Sequence, residues 1–390
     1  MFHVATAEEI KSGKVTDVYF QRTREILEAR GIDKRVTAEF VVKSFPQLGT
    51  WGVLAGIEEC LELLKGLTVR VRAMAEGTIF GANQPVLEIE GQYLEFGVYE
   101  TALLGLLCQA SGVATKAARC RKLARNKPLI SFGARRMHPA VAPMIERSAY
   151  IGGCDGVAAI KSAEIIGITP TGTMPHALIL IMGDTVEATR AFDEIIDKKV
   201  PRIALIDTFQ DEKFEAIRVA EALGPHLYGV RLDTPLSRRG DFVSLLQEIR
   251  WELNLRGYSQ VKLFVSGGID ERQISELNQV VDAYGVGTTL SSAPVLDFAM
   301  DIVEIEGRPL AKRGKASGRK SVWRCPQCYK SLVTPRDQRP EKFCRCEQEY
   351  QDLLQPLVDS GEIKRKLPSP QEIRNYVLDQ LKHFEVYPYY

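Results

Sequence analysis

The chain has 390 residues, of which 45% are hydrophobic and 26% are charged, and its formal net charge is +1. This length exceeds what one hydrophobic core normally supports, so it predicts two or three domains. The near-neutral balance indicates an ordinary globular protein and excludes a global electrostatic bias, so nothing in the composition requires a nucleic-acid or membrane partner.

The amino-terminal segment, residues 1–17, carries no recognisable targeting signal. It is polar with acidic side chains, and it lacks the apolar centre of a signal peptide and the arginine-rich character of a transit peptide. No apolar run in the sequence approaches the roughly 20 residues that a membrane helix needs. We therefore expect a cytoplasmic protein without a membrane partner.

Residues 1–115 predict an α+β domain. Residues 36–43 alternate as a strand, 51–65 have apolar residues at helical spacing, and 69–90 form two strand-like runs around a turn at 81–83, which suggests a hairpin. Residues 94–126 have helical periodicity, which we expect Ser111 and Gly112 to break into two helices.

The centre of the chain alternates between short apolar runs and amphipathic helical segments. The predicted strands are residues 129–132, 156–160, 177–181, 203–206, 229–232, 262–265 and 283–286, and the predicted helices are 184–196, 211–223, 241–255 and 271–281. Such alternation indicates a parallel sheet with right-handed crossovers. We predict an irregular parallel α/β barrel over residues 116–295.

Polar residues and glycines follow these predicted strands. In a parallel barrel the carboxyl ends of the strands meet at one mouth, where active sites are built. His176 stands just before its own apolar run, so residues 168–171 are an alternative barrel strand there. The residues expected at the mouth are Gly133, Arg135, Lys161, Asp207, Asp233, Ser266, Gly267, Gly268, Gly287 and Thr288.

Two adjacent strand ends are rich in glycine, SGGI at 266–269 and GVGTTL at 285–290. Glycines at such positions let backbone amides approach a phosphate at a helix amino terminus. Either turn alone could be an ordinary tight turn. Because the two are consecutive, the sequence favours phosphate binding.

Charged residues at the strand ends have a functional and a structural interpretation. Asp207 and Asp233 could hold ribose hydroxyls or a magnesium-bound pyrophosphate, or they could cap helices. Arg231 shares a strand face with Asp233 and could pair with it or clamp an anion. The two arginines and the histidine of SFGARRMHP, residues 131–139, suit a carboxylate or a pyrophosphate, or are exposed surface charge. His176, near Thr173, is either structural or catalytic.

The eight cysteines fall into two groups. Cys60, Cys108, Cys120 and Cys154 are scattered and are expected to be reduced core residues, whereas Cys325, Cys328, Cys344 and Cys346 have the spacing C-x2-C-x15-C-x-C. Four clustered thiolates predict a structural zinc site, with iron as the rival metal.

The third predicted segment, residues 296–390, contains this zinc-knuckle module at 320–350. Within it, 298–305 predicts a strand that returns to the first domain, 312–324 a basic linker and 368–385 a helix. The basic residues near the cysteines allow a nucleic-acid interpretation, but one short module with few aromatic residues does not favour it.

Seven motifs occur in an order that resembles the nicotinate phosphoribosyltransferases, within the type II phosphoribosyltransferase family, and in particular a short form with a carboxyl-terminal cysteine knuckle. The resemblance covers residues 16–294. Its motifs are TDVYF, FGARRMH, AYIGGCDGVAAIKSAEIIGITPTGTMPHA, LIDTF, GVRLDT, VSGGID and GVGTTL. The GVRLDT motif departs from the commoner form, in which serine, glycine and aspartate follow.

The resemblance implies a reaction in NAD biosynthesis. Nicotinate and phosphoribosyl pyrophosphate would give nicotinate mononucleotide and pyrophosphate with Mg²⁺, coupled to ATP hydrolysis through a phosphorylated His176. It also implies at least a homodimer, with the tyrosine of TDVYF acting across a subunit interface. By the same resemblance, Tyr19 and Phe132 would sandwich the pyridine ring, and Arg135 and Thr173 would bind its carboxylate. The phosphoribosyl group would be held by Arg136, His138, Lys161, Asp207, Arg231, Asp233, Ser266, Gly267, Gly268, Gly287 and Thr288.

Three alternatives remain open at the level of sequence. A quinolinate phosphoribosyltransferase would share the architecture but would have no use for ATP, so His176 favours nicotinate. A nicotinamide enzyme is possible because Asp155 could accept a hydrogen bond from an amide. The third alternative is a zinc-dependent binding protein built on an inactive barrel.

Overall fold

Two large sheets dominate the computed structural model, which describes residues 2–46 and 49–386. The strands are β1 (Arg35–Val42), β2 (Trp51–Val53), β3 (Arg70–Ala73), β4 (Ile79–Gly81), β5 (Leu87–Gln92), β6 (Leu129–Ser131), β7 (Gly156–Val157), β8 (Ile203–Leu205), β9 (Gly229–Leu232), β10 (Lys262–Val265), β11 (Ala283–Val286), β12 (Phe298–Ile305), β13 (Arg308–Pro309), β14 (Lys320–Arg324), β15 (Ser331–Pro335), β16 (Gln351–Asp352), β17 (Gln355–Asp359) and β18 (Glu362–Ile363).

Besides the strands, the structure contains α-helices. They are α1 (Ala7–Lys11), α2 (Val18–Ala29), α3 (Ile57–Leu64), α4 (Tyr93–Phe96), α5 (Glu100–Ala124), α6 (Ala142–Ile151), α7 (Ile160–Ile166), α8 (His176–Met182), α9 (Thr185–Ile195), α10 (Glu212–Leu223), α11 (Leu236–Arg239), α12 (Phe242–Leu255), α13 (Glu271–Leu277), α14 (Thr288–Ser291) and α15 (Pro370–Leu381). No helix among the described residues combines the length and apolarity that a bilayer crossing requires.

The chain divides into two units, Met1–Thr115 with Pro294–Phe384 and Lys116–Ala293 with Glu385–Tyr390. The carboxyl-terminal residues up to Phe384 therefore cluster with the amino-terminal ones. The division into domains at 1–115, 116–295 and 296–390 stays a prediction, because clustering of contacts does not test which parts fold independently.

The first unit is built on an antiparallel sheet with the strand order β13-β12-β1-β5-β3-β17-β18. Alternate residues of each strand point to opposite faces. One face is apolar and includes Phe40, Leu87 and Phe298, which join the main hydrophobic core with residues of α3 and α5. The predicted return of residues 298–305 to the first domain is confirmed, since β12 pairs with β1 along its length.

The opposite face of this sheet is charged. Arg319 Nη2 donates to Glu88 Oε1 at 2.8 Å, Arg319 Nη1 lies 3.0 Å from Glu90, and Lys320 Nζ lies 2.8 Å from Glu39. Burial raises the pKa of Glu39, and the positive charge of Lys320 opposes the shift. Buried carboxylates need such partners to offset the loss of hydration, so the segment that leads into β14 is bound to the sheet by charge.

The second unit is an irregular parallel α/β barrel whose strands have the order β7-β6-β11-β10-β9-β8. All neighbours in this sheet are parallel. An extended segment that includes Thr171 and Met174 lies between β7 and β8, the two edge strands of this sheet. Thr171 N donates to Val157 O at 2.8 Å, and Met174 packs with Leu205 in a buried cluster. The barrel is irregular because this segment forms no regular strand.

The predicted strand at 177–181 is wrong, because these residues belong to helix α8. Pro175 precedes the helix in an extended conformation, and Gly183 ends it in the left-handed region, φ 80°, with its N–H donating to Ile179 O. A short apolar run is compatible with either a strand or a buried helix, and its flanking residues decide. His176 therefore begins a helix and does not lie within a strand.

The predicted break at Ser111 and Gly112 is also wrong, because α5 continues through both residues. Ser111 Oγ accepts from Ala55 N at 3.0 Å and donates to Ala55 O at 3.1 Å. A Cβ on Gly112 would lie 2.3 Å from Pro294 O. Ser111 and Gly112 are small enough for neighbouring backbone to pack closely against α5. The helix therefore continues through two residues whose low helix propensity predicts a break.

Two details of the first domain differ from the sequence expectation. The stretch 51–65 is not one helix, because β2 occupies its start and only α3 is helical. The two runs within 69–90 do pair, because β3 is antiparallel to β5, but the residues just before the turn at 81–83 do not join this pairing, since β4 pairs with β2.

Candidate functional site

The carboxyl ends of the parallel strands carry most of the predicted site residues of the second unit. Phe132 follows β6, Asp207 follows β8, Asp233 follows β9, Ser266 follows β10 and Gly287 follows β11. Because the strands are parallel, these residues lie on one edge of the sheet.

His176 and Asp207 form one cluster on this edge. His176 Nε2 lies 3.1 Å from Asp207 Oδ1, and the Asp207 side chain is only 2% exposed whereas that of His176 is 39% exposed. Burial raises the pKa of Asp207, and the nearby Asp233 raises it further, while the interaction with His176 opposes the shift. The carboxylate is therefore a buried group that orients an accessible imidazole.

Arg231 links the aromatic and hydroxyl residues of the site. Its Nη1 donates to Thr173 Oγ1 at 2.7 Å, and its guanidinium carbon lies 5.8 Å from the centre of the Phe132 ring. Burial lowers the pKa of Arg231, an effect opposed by the charges of Asp233 and Asp207. Phe132 also packs on bare backbone, since a Cβ on Gly285 would lie 2.3 Å from its ring.

Asp233 and Ser266 connect two strand ends. Ser266 Oγ donates to Asp233 Oδ1 at 2.7 Å. The next two residues, Gly267 and Gly268, have φ values of 74° and 66°, which favour glycine. A Cβ on Gly267 would lie 2.9 Å from Asp233 Oδ1, so this turn leaves no room for a side chain.

The remaining predicted residues are not joined to these contacts. Arg135 and Arg136 belong to a short 3-10 turn and are exposed, although the charge of Arg135 is close enough to affect Arg231. His138 is exposed, and its Nδ1 accepts from Ala140 N at 3.1 Å. Lys161 is exposed on α7 and pairs with Glu164 at 3.0 Å.

The second glycine-rich strand end also lies on this edge. Gly287 precedes α14, and Thr288, the first residue of that helix, is exposed. Gly287 lies beside the backbone of Phe132, since a Cβ there would be 3.4 Å from Phe132 O. Its role in phosphate binding stays a prediction.

Tyr19 belongs to the first unit. It lies near the start of α2, is 56% exposed, and its hydroxyl lies 3.5 Å from Asp17 Oδ2. Burial raises the pKa of this phenol, with the negative charges of Asp17 and Glu100 adding to the effect. Its stacking on a pyridine ring stays a prediction.

Sequence reasoning missed Arg239, at the end of α11. This side chain is 5% exposed and donates to backbone oxygens of the loop after β9 and of the turn after β10. Thr234, the neighbour of Asp233, donates from Oγ1 to Glu212 Oε1 at 2.7 Å. The signal available in the sequence was the arginine pair in SRRGD, a few residues after a strand end.

Asp155 does not fit the amide-recognition role considered from the sequence. Its Oδ2 accepts from Arg121 Nη1 at 2.7 Å and from Leu129 N at 2.8 Å. Leu129 begins β6, so Asp155 lies at the amino end of the sheet, opposite the edge that carries His176 and Asp207. This removes the sequence argument for nicotinamide.

The four clustered cysteines of the first unit come together as predicted. Cys325, Cys328, Cys344 and Cys346 place their sulfur atoms within 4.8 Å of one another. A tetrahedral zinc thiolate site, with Zn–S bonds of about 2.3 Å, separates its sulfurs by about 3.8 Å. The donor set and its spacing therefore fit a zinc ion, and no further protein ligand is needed.

Comparison with known proteins gives consistent matches. The family model described as quinolinate phosphoribosyl transferase, N-terminal domain, matches residues 17–111, and the C-terminal domain model matches residues 113–301. A nicotinate phosphoribosyltransferase of Mycobacterium tuberculosis is 33% identical over 282 residues, which cover 68% of this chain and 60% of that protein. The chain thus spans less than two thirds of that relative. The Bacillus subtilis nicotinate phosphoribosyltransferase is 32% identical, covering 75% of this chain and 66% of its own length.

Two solved structures are similar over almost the whole chain. Nicotinate-nucleotide pyrophosphorylase from Pyrococcus furiosus matches with a TM-score of 0.97 and 55% identity, covering 99% of both chains. Human nicotinic acid phosphoribosyltransferase matches with a TM-score of 0.75 and 19% identity, covering 95% of this chain and 94% of that one. The human structure is similar in fold, whereas the archaeal one is similar in sequence as well.

Proposed function

This chain belongs to the type II phosphoribosyltransferase family, and we propose that it joins nicotinate to phosphoribosyl pyrophosphate, giving nicotinate mononucleotide and pyrophosphate in NAD biosynthesis. One observation carries the proposal. The His176–Asp207 pair, the Arg231–Thr173 pair and the Asp233–Ser266 pair come from distant segments of the sequence and lie on one edge of the barrel sheet. The nicotinate phosphoribosyltransferases of M. tuberculosis and B. subtilis are relatives at 33% and 32% identity.

Different parts of this edge would bind the pyridine ring, its carboxylate, the ribose and the phosphate. Phe132 offers a ring face to the pyridine, and Arg135 and Thr173 are the residues proposed to bind the carboxylate, since a guanidinium matches a carboxylate in shape and charge. Asp207 and Asp233 would accept hydrogen bonds from ribose hydroxyls. The phosphate would bind at the turn of Ser266, Gly267 and Gly268, with Arg136, His138, Lys161, Gly287 and Thr288 around it.

The reaction itself requires positioning more than proton transfer. The ring nitrogen of nicotinate carries the attacking lone pair and bonds to the anomeric carbon, while the bond from that carbon to pyrophosphate breaks and pyrophosphate leaves with both electrons. Positive charge develops on the ribose, so the carboxylates of Asp207 and Asp233 can stabilise it electrostatically. Mg²⁺ would offset charge on the leaving pyrophosphate when bound, and carboxylate oxygens of this kind suit it.

His176 is proposed to couple the reaction to ATP hydrolysis. If Nε2–H donates a hydrogen bond to Asp207, the lone pair of Nδ1 is free to attack a phosphoryl group. The γ-phosphoryl bond of ATP would break, ADP would leave, and water would later release phosphate from the imidazole. The accessible ring and its buried carboxylate partner support this assignment.

The assembly and the cysteine cluster complete the proposal. We propose a homodimer or a higher homo-oligomer in which the exposed Tyr19 reaches the pyridine site of another subunit. The cysteines would hold a structural Zn²⁺, because all four coordination positions would be filled by protein sulfur.

Turnover with nicotinate, nicotinamide and quinolinate, each with and without ATP, tests the proposal. We expect nicotinate mononucleotide from nicotinate and a clear stimulation by ATP. His176→Ala should lose the stimulation and keep part of the ATP-independent synthesis. Unchanged stimulation in this variant would show that the histidine assignment is wrong.

Quinolinate is the second candidate substrate, because the matching family models carry that name. Quinolinate has a second carboxylate and therefore needs additional cations in the site. Turnover of quinolinate with release of CO₂ and no effect of ATP would favour this alternative. An absence of turnover with all three pyridines would favour a binding protein on an inactive barrel.

A further inference from the structure

Arg239 is a buried cation of the second unit whose shortest hydrogen bonds go to backbone oxygens. Nε donates to Thr234 O at 2.6 Å, Nη2 donates to Ser266 O at 2.8 Å and to Gly267 O, and Nη1 reaches Gln273 Oε1 at 3.4 Å. Among the described residues it forms no salt bridge with a carboxylate. Its guanidinium also stacks on Phe242, 4.5 Å from the ring centre.

These bonds determine which way the glycine turn faces. In a trans peptide the carbonyl oxygen and the next N–H point in opposite directions, and none of the described peptide bonds is cis. When Ser266 O and Gly267 O face Arg239, the N–H groups of Gly267 and Gly268 must face away from it. Within the described residues, neither N–H donates to another protein group.

The turn thus presents two free N–H donors on one side, and the guanidinium of Arg239 binds its carbonyl oxygens on the other side. Successive backbone N–H groups in a turn can bind an anion, and here they belong to Gly267 and Gly268, which both have positive φ. The positive charge of Arg239 lies behind it without a bonded counter-ion, which favours an anion in front. Burial lowers the pKa of Arg239, although the charges of Asp233 and Asp207 oppose this shift, and guanidinium stays charged in proteins.

We propose that Arg239 is a positioning residue for the phosphate of the phosphoribosyl substrate, holding the N–H groups of Gly267 and Gly268 toward that phosphate. This inference rests on the proposed function, because it assigns the phosphate to this turn. It also accounts for the departure after GVRLDT, since the loop that replaces the commoner serine, glycine and aspartate leads directly to α11 and Arg239.

Titration calorimetry with phosphoribosyl pyrophosphate tests the role without requiring turnover. Arg239→Gln should raise Kd by at least about tenfold, which equals about 1.4 kcal/mol. Arg239→Lys keeps the charge but loses the planar fork, so its Kd should lie between those of Arg239→Gln and the native protein. Arg238→Gln removes the neighbouring exposed arginine and should leave Kd within about twofold.

Steady-state kinetics separate positioning from a general structural role. We expect KM for phosphoribosyl pyrophosphate to rise in Arg239→Gln while KM for nicotinate changes by less than about twofold. A folded Arg239→Gln protein with native Kd would overturn the proposal. Should that variant fail to fold, a native Kd in Arg239→Lys would overturn it equally.

The outcomes distinguish this inference from the proposed function. A native protein that turns over no pyridine but binds phosphoribosyl pyrophosphate through Arg239 would contradict the function and support the inference. If the native protein makes nicotinate mononucleotide and the Arg239 variants have unchanged Kd, the function is supported and the inference is contradicted. If the native protein shows no detectable binding of phosphoribosyl pyrophosphate, both are contradicted.

Discussion

The pair of His176 and Asp207 joins an accessible imidazole to a carboxylate that water hardly reaches. A buried carboxylate retains its interaction with a ring nitrogen because solvent screens the pair weakly. In the proposed mechanism, this interaction selects the tautomer whose Nδ1 is nucleophilic. Asp207 therefore has a role in orientation that can be separated from the role of the histidine itself.

Asp207→Asn should lower the rate of ATP-dependent synthesis by about a hundredfold, within the usual range for removing one member of a proton-handling pair. The amide can donate to Nε2 and thereby stabilise the other tautomer, which leaves Nδ1 protonated. Initial rates at saturating nicotinate, with and without ATP, measure the effect. His226→Gln is the matched control, because His226 pairs with Asp193 at 3.1 Å on the surface.

Glu100 is the first residue of α5, and we expect its titration to make the free energy of unfolding depend on pH. Burial raises its pKa to about 7, with the charges of Asp301 and Asp17 adding to the shift and Lys312 opposing it. In the unfolded chain a glutamate releases its proton near its ordinary value of 4.5. Between these two values the folded state binds the extra proton, so stability falls as pH rises through this window.

Glu100→Gln should therefore stabilise the protein at pH 8 and have little effect at pH 4, where the glutamate is protonated in both states. The shift alone corresponds to about 3 kcal/mol, but this side chain is partly exposed, so we expect about 1 kcal/mol after solvent screening. Thermal unfolding at the two pH values measures the difference. The exposed Glu194→Gln serves as control, and an equal gain at both pH values would contradict the assignment.

At the scale of elements, helix α15 illustrates how a polar side chain can secure a helix. Gln380 is fully buried, accepts from Ile79 N at 2.9 Å and donates to Gly77 O at 2.8 Å. The helix begins with a capping box formed by Ser369 and Glu372. Its local signals explain why a helix forms, and Gln380 explains where it packs in the first unit.

Gln380→Leu should lower the free energy of unfolding by about 2–4 kcal/mol, because a leucine of similar size leaves one buried N–H and one buried carbonyl without partners. Urea denaturation followed by far-ultraviolet circular dichroism measures the loss. Asn375→Leu changes an exposed position of the same helix and should shift stability by less than about 0.5 kcal/mol. Equal stability in the two variants would show that the hydrogen bonds of Gln380 contribute nothing.

At the scale of the whole molecule, the cysteine cluster and the proposed catalytic residues belong to different units. The cysteines connect residues around β14, β15 and β16, which form a three-stranded sheet with few large apolar side chains. Small modules of this kind commonly depend on a metal for their folding energy. A metal there should stabilise the fold without taking part in the chemistry.

The paired substitution Cys325→Ser with Cys328→Ser should abolish stoichiometric zinc, lower Tm, and leave kcat at 25 °C within about threefold of the native value. Elemental analysis, calorimetry and the nicotinate assay give the three readouts. Cys108→Ala, outside the cluster, should keep the zinc. Loss of turnover in a folded, zinc-free protein would contradict a purely structural metal.

Much of the fold follows from local sequence, as particular elements illustrate. Helices α9, α10 and α12 begin after Asp184, Asp211 and Asp241, each of which caps its helix through its side chain. Six of the seven predicted strands coincide with observed strands to within a few residues. These signals are readable because a cap or an apolar period acts within a few residues of the chain.

The sequence by itself determined the class of the barrel, the cysteine cluster and the polar residues at the strand ends, because local periodicity and short motifs encode them. Tertiary structure decided that the run after His176 is a helix, that Ser111 and Gly112 stay helical, that Asp155 faces away from the site, and that Arg239 supports the glycine turn. Each of these depends on a partner far away in sequence or on flanking backbone geometry. Local propensity carries no information about such partners, so only the folded chain reveals them.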